Sequence, residues 1–233
     1  MTVHDQPKLP HGRWDIYGPI HKGLRMATTD FMVRLGRADF GRRAESAALL
    51  DALRAHLWLC SEHLAHEEAF IHPALERRRG DAAARLARQH VDHRLAFAML
   101  DALIDAVAEA DDDARPAKAR ELYLAYSAFV ADDLAHMHEE ETVTWPLLCA
   151  LFSDQELADL EMSIIASLSP ETNLAFMRLM IPAMGPQERA ALLGGVKASA
   201  PPEAFQAVIE GAARATLPAQ EFDDLTARLG LAA

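Results

Sequence analysis

One device occurs twice in this chain, and it restricts the fold more than any other feature of the sequence. The first copy is His63-Leu64-Ala65-His66-Glu67-Glu68-Ala69-Phe70-Ile71-His72-Pro73. The second is His136-Met137-His138-Glu139-Glu140-Glu141-Thr142-Val143-Thr144-Trp145-Pro146. Aligned on the prolines, His63 falls on His136 and Glu67 falls on Glu140. Each copy is a histidine, a glutamate four residues on, and a proline six beyond that. On an α-helix, residues four apart lie about 40° apart around the axis and about 6 Å apart along it. An imidazole and a carboxylate so placed point the same way and can bind one metal ion. In solvent the pair is worth only about 0.2–0.5 kcal/mol. On an inward face, polar groups without partners cost roughly several kcal/mol, so something must bind there.

The sequence around the two copies is helical. Hydrophobic residues make up 51% of the chain and aromatics only 6%. With Ala and Leu abundant, that balance favours helices, and no run of alternating β-branched residues reads as a strand. A first helix is expected from Pro19, a residue favoured at a first helical position, to about Gly36. A second runs from Glu45 to about Arg79, and a third carries Leu86, His90, Leu95, Met99, Leu103 and Val107 after Gly80-Asp81. A fourth starts near Pro116 and passes Tyr126, His136 and Glu140. Pro73 and Pro146 fall inside these patterns and should kink the helices or end their regular parts. The chain thus reads as all-α: an antiparallel up-down-up-down four-helix bundle followed by a C-terminal helical extension. The boundaries expected are a lead-in packed on the surface over 1–18, the metal-binding bundle over 19–152 and the extension over 153–233. In the extension, Ser153-Asp154-Gln155-Glu156 fits a capping box. Ser169-Pro170, Gly185-Pro186 and Pro201-Pro202 each restart a short helix.

None of the 11 histidines falls after His138, so the extension offers no obvious metal ligand. His63, Glu67, His136 and Glu140 are the first candidates. The first helix adds His21. The third offers His90 and His93, of which His90 is preferred for its place relative to the Leu95, Met99 and Leu103 stripe. His66 is a candidate for orienting a ligand by a hydrogen bond. His56 is expected to line the interior, while His138 and His72 should face away from the site. Tyr123 and Tyr126 read as core packing. His4 and His11 receive no role.

Charge and cysteine usage narrow the setting. The net charge of −12 repels nucleic acid and anionic lipid. The N-terminal stretch has no signal-peptide core, and the apolar runs fall short of a membrane span. Cys60 and Cys149 sit in apolar helical patterns without a CxxC partner and read as reduced core residues of a cytoplasmic protein. The extension's apolar stripes (Leu174, Met177, Met180; Phe205, Val208, Ile209) can pack on the bundle, on a protein partner or on a second copy of the chain.

The layout His21, His63-xxx-Glu67, His90, His136-xxx-Glu140 resembles the hemerythrin-like family, also called HHE cation-binding domains, over about residues 15–152. The resemblance implies a four-helix bundle with a non-heme diiron centre. It implies the metal ligands His21, His63, Glu67, His90, His136 and Glu140, with the two glutamates bridging. The chain departs from the oxygen-carrying members. Arg94 stands four residues after His90, where they place a further histidine, and the fourth helix has HxxxE where they place an aspartate one residue later. These departures favour reaction with a small oxidant (O2, H2O2 or NO) over reversible carriage of oxygen. The donor set suits two iron ions and does not separate iron from manganese or zinc. A rival reading is a metal-dependent sensor or iron-handling module that presents the C-terminal helices to a partner.

Overall fold

The computed structural model describes residues 12–231. His4 and His11 lie outside them. Among the described residues the chain is helical throughout and contains no strand. The elements are α1 (Gly18–Arg37), α2 (Arg43–His66), a π-helical turn (Glu67–Ile71), α3 (His72–Arg78), α4 (Ala84–Glu109), α5 (Arg115–Glu139), a second π-helical turn (Glu140–Thr144) and α6 (Trp145–Leu151). Then follow α7 (Asp154–Ser167), α8 (Pro170–Ala183), α9 (Pro186–Ser199), α10 (Pro202–Val208), a third π-helical turn (Ile209–Ala213), α11 (Arg214–Thr216) and α12 (Ala219–Arg228). No helix among the described residues is long and apolar enough to cross a membrane. By their contacts the described residues form two units, one of 12–17 with 27–164 and one of 18–26 with 165–231.

In the first unit the apolar pattern sorts the helices into alternating directions. One core gathers Phe31 and Leu35 from late in α1 and Leu49, Leu53 and Leu57 from early in α2. It also takes Leu100, Ile104 and Val107 from late in α4 and Ala119, Leu122 and Tyr126 from early in α5. Late halves meeting early halves is the signature of an up-down-up-down bundle. A second apolar cluster joins Ile71 and Leu75 of the second helical run, Ala83 ahead of α4, and Leu148 and Cys149 of α6. The polar residues of interest lie along α2, α4 and α5 between these two clusters.

The turn into α4 is fixed locally. Asp81 adopts a left-handed φ of 62°, and the Glu76 carboxylate accepts the backbone N–H groups of Asp81 (2.7 Å) and Ala83 (2.8 Å). Arg13 donates to the carbonyls of Cys149 and Phe152, and Ile16 and Tyr17 are buried.

Each helix interruption begins at the glutamate of the repeat, well before the proline. The N–H of His72 bonds back five residues to the Glu67 carbonyl, and the N–H of Trp145 does the same to Glu140. Proline cannot donate to the carbonyl four residues back and its ring crowds it. Widening the preceding turn by one residue relieves both problems without ending the helix. The extra residue rotates everything downstream by about 100°.

The second unit is built around Met177, Ile181, Leu193, Phe205, Val208, Ala212, Phe222 and Leu225. Its helices start as the sequence suggests: Ser169 Oγ accepts the Thr172 N–H at 3.1 Å, and the Gly185 N–H donates to Glu188 at 3.0 Å. Gly23, in the first turns of α1, explains why that segment belongs here. A Cβ on it would lie 2.8 Å from the backbone of Leu179, so only glycine lets α1 approach α8 so closely.

Candidate metal centre

The two HxxxE pairs turn inward. His63 reaches Glu67 along its own helical run, with Nε2 3.2 Å from Oε1. His136 reaches Glu140 in the same way at 3.4 Å. From α4, His90 places its Nε2 3.4 Å from Glu67 Oε2 and 3.2 Å from His136 Nε2. One ligand atom from each of Glu67, His90, His136 and Glu140 lies within 4.8 Å of the others, and the same holds for His63, Glu67 and Glu140. The two groups share both glutamates. His21, the remaining residue singled out by the sequence, lies in the first turns of α1 and is fully buried.

Burial sets the electrostatics. Glu67 is 1% exposed and Glu140 is 0%. Burial pushes the Glu67 carboxyl well above its ordinary range, against an opposing influence of Glu140. Burial also lowers the His90 imidazole to about 4, aided by the neighbouring His72. His72 and His93 are lowered mainly by burial as well. At neutral pH these rings are uncharged, the state in which imidazole binds a metal. Two carboxyls deep in a helical interior, faced by neutral imidazoles, fit a multivalent cation better than they fit an apolar core.

The outer nitrogens of two rings are held as well. His90 Nδ1 donates to Glu68 Oε1 at 3.1 Å, and Arg94 clamps Glu68 by an ion pair. Burial acts to raise the Glu68 carboxyl, but Arg94 and His90 together hold it below its ordinary value. His136 Nδ1 donates to Gln89 Oε1 at 3.2 Å. Gln89 in turn donates to Glu139 at 3.0 Å, and Arg85 pairs with Glu139 at 2.8 Å. A proton fixed on Nδ1 leaves the Nε2 lone pair facing the glutamates.

Other expectations divide. His138 is exposed and His56 is an interior residue, as read from the helical spacing. His56 Nε2 lies 3.0 Å from Thr28 Oγ1, and its ring stacks on Phe31. His66 turns back along its helix toward the Glu62 carbonyl and stacks on Phe70. Tyr126 packs in the core and donates to the Thr28 carbonyl at 3.0 Å. His72 does not face away: it is buried, with its ring centroid 4.8 Å from that of His90. The π-helical turn before it supplies the missing rotation. The stripe used to prefer His90 is wrong as a buried face, since Leu95 is 66% exposed and Met99 48%. The inward face of α4 is Leu86, His90, His93, Leu100, Ile104 and Val107.

Three residues escaped the sequence reading. Tyr17 is fully buried, and its phenol is pushed well up by burial and by the charges of Glu140 and Glu67. Asp133, one turn before His136, is a third buried carboxylate, and its charge reaches Glu67 and Cys60. The i,i+3 step from Asp133 to His136 was a usable signal. Gln89 had none, because its role depends on where α5 lies.

A helical bundle that gathers buried glutamates and neutral imidazoles in this way defines a cation-binding bundle. The chain matches the family model described as the Hemerythrin HHE cation binding domain over residues 21–148. It belongs to that family, and the resemblance carried by the repeated motif holds. No curated protein matches the chain.

Proposed function

We propose that this is a non-heme diiron protein that reacts with a small oxidant, O2, H2O2 or NO, at the centre between α2, α4 and α5. The observation that carries the reading is the sharing of Glu67 and Glu140 by two groups of ligand atoms. Two carboxylates common to both groups suit a pair of ions, not a single one. His63 would serve the ion on one side, and His90 and His136 the ion on the other. Iron bound there would supply the electrons that reduce the oxidant. The protein's own residues do the rest. Glu68 and Gln89 fix the tautomers of His90 and His136. Leu57, Phe129 and the apolar cluster around them exclude water from one side. Manganese fits the same donors, and metal analysis separates the two. The buried, unpaired Cys60 and Cys149 suit a reducing cytoplasmic setting.

Purification with iron under air tests the reading. Two irons per chain, with a near-ultraviolet absorption band that responds to peroxide or NO, support it. Uptake of one metal or fewer per chain overturns it.

The second unit motivates a second reading. Residues 165–233 have an apolar core of their own and place no histidine near a metal. In this reading the metal state is passed to a partner, or to a second copy of the chain, through the C-terminal helices. No oxidant turnover, with metal-dependent protease protection of 165–233, favours the sensor.

A further inference from the structure

Three imidazoles crowd together between α4 and α5. The ring centroids of His90 and His136 lie 4.9 Å apart, and those of His93 and His136 also lie 4.9 Å apart. Two of the three are held as ligands are held, with Nδ1 donating outward and Nε2 facing a glutamate. His93 is arranged differently. It is 4% exposed, yet its Nδ1 has no hydrogen-bond partner among the described residues. Nor does it belong to either group of convergent ligand atoms. Its ring is instead wedged between aromatic neighbours, stacked on Phe97 and edge-on to Phe129.

A buried donor or acceptor left unmet destabilises the fold, and a phenylalanine would pack in the same space without that cost. The surroundings suggest what the imidazole is for. A groove of about 760 Å³ runs between α4 and α5, and both His93 and His136 line it. Ala96, Phe129 and Val143 form apolar parts of its wall, while Gln89 and Arg85 belong to the set that fixes His136. The groove therefore leads from solvent to the back of one proposed ligand, with His93 beside it.

We propose that His93 receives a small hydrogen-bond acceptor, such as a peroxide or a small anion, that reaches the centre through the groove between α4 and α5. This rests on the diiron reading and specifies where that centre takes its substrate. The neutral ring donates one hydrogen bond to the incoming molecule and orients it. It supplies no bond to the metal.

Azide is the probe. Iron-loaded wild type, His93→Phe and His93→Gln are titrated with azide, followed by absorption, and iron is counted in each. The expected result is equal iron in all three, azide affinity at least tenfold weaker in His93→Phe, and affinity within about threefold of wild type in His93→Gln. Tenfold corresponds to about 1.4 kcal/mol. Should His93→Phe fail to fold, His93→Ala decides in its place, with the same tenfold loss expected. Unchanged azide binding in the Phe or Ala variant overturns this inference alone. Loss of iron in those variants also overturns it, by making His93 a ligand. A wild-type chain that takes up no iron overturns the proposed function and this inference together.

Discussion

The two units of the chain solve the problem of a buried charge in opposite ways. In the second unit the buried charge is Arg189, and its guanidinium is fully engaged. It donates to the carbonyls of Ile181 (2.9 Å) and Met184 (3.0 Å) and pairs with Glu221 at 2.9 Å. In the first unit, Glu67 and Glu140 sit among neutral imidazoles, with the Glu67 carboxyl pushed far up. The first arrangement is complete in itself. The second gathers two buried carboxyls whose charge a bound cation would balance. An interior that satisfies its own charge holds a fold together, whereas one that does not is built for a cation.

The largest effect that separates the two interiors is metal loss. Replacing Glu67 and Glu140 together by Ala should abolish metal binding, measured by elemental analysis after iron loading. Arg189→Met should leave metal content at the wild-type value. Equal loss in both would break the comparison.

A smaller effect concerns the outer residues. Gln89→Leu removes the acceptor that holds the His136 Nδ1 proton. Metal affinity should fall by about 10–100-fold in a chelator competition. No change would mean that His136 needs no orienting partner.

In the second unit, Arg189→Ala strands the carbonyls of Ile181 and Met184. The cost should be about 2–3 kcal/mol in denaturant unfolding, with metal content unchanged. A cost near zero would show that this charge is not structural.

The finest test is pH. His56 has its folded-state value lowered from 6.5 to about 4 by burial. Between those values the unfolded chain binds the proton more tightly. Stability from this group is therefore complete above pH 6.5 and is lost as pH falls toward 4, by at most about 1.4 kcal/mol per pH unit. Metal-free wild type should show this slope together with that of His72, His90 and His93, and His56→Gln should make it shallower by the His56 share. Residues 165–233 contain no histidine and add nothing to it. An unchanged slope in the variant would place the titration elsewhere.

How far the sequence could carry the reading depends on how local each feature is. The bundle, its helix order and the convergence of His63, Glu67, His136 and Glu140 follow from one repeated spacing and short connections. The preference for His90 rests on a stripe that is not buried: Leu95 and Met99 are exposed, and period alone does not tell one stripe of an Ala-rich helix from the next. His72 was misplaced because a π-helical turn adds a residue that a regular helical wheel does not contain. The proline six residues after each glutamate was its visible cause, yet the size of the rotation needs the backbone. Gln89 and Glu68 act across helices, so their roles depend on packing. Gly23 has no local signal either, because the Leu179 backbone that demands a glycine there lies more than 150 residues along the chain.

Iron bound per chain, counted in wild type and in Glu67→Gln/Glu140→Gln after reconstitution, tests the central claim most directly. The account expects two in wild type and none in the double variant. One ion or fewer in wild type, or two retained without the glutamates, would contradict it.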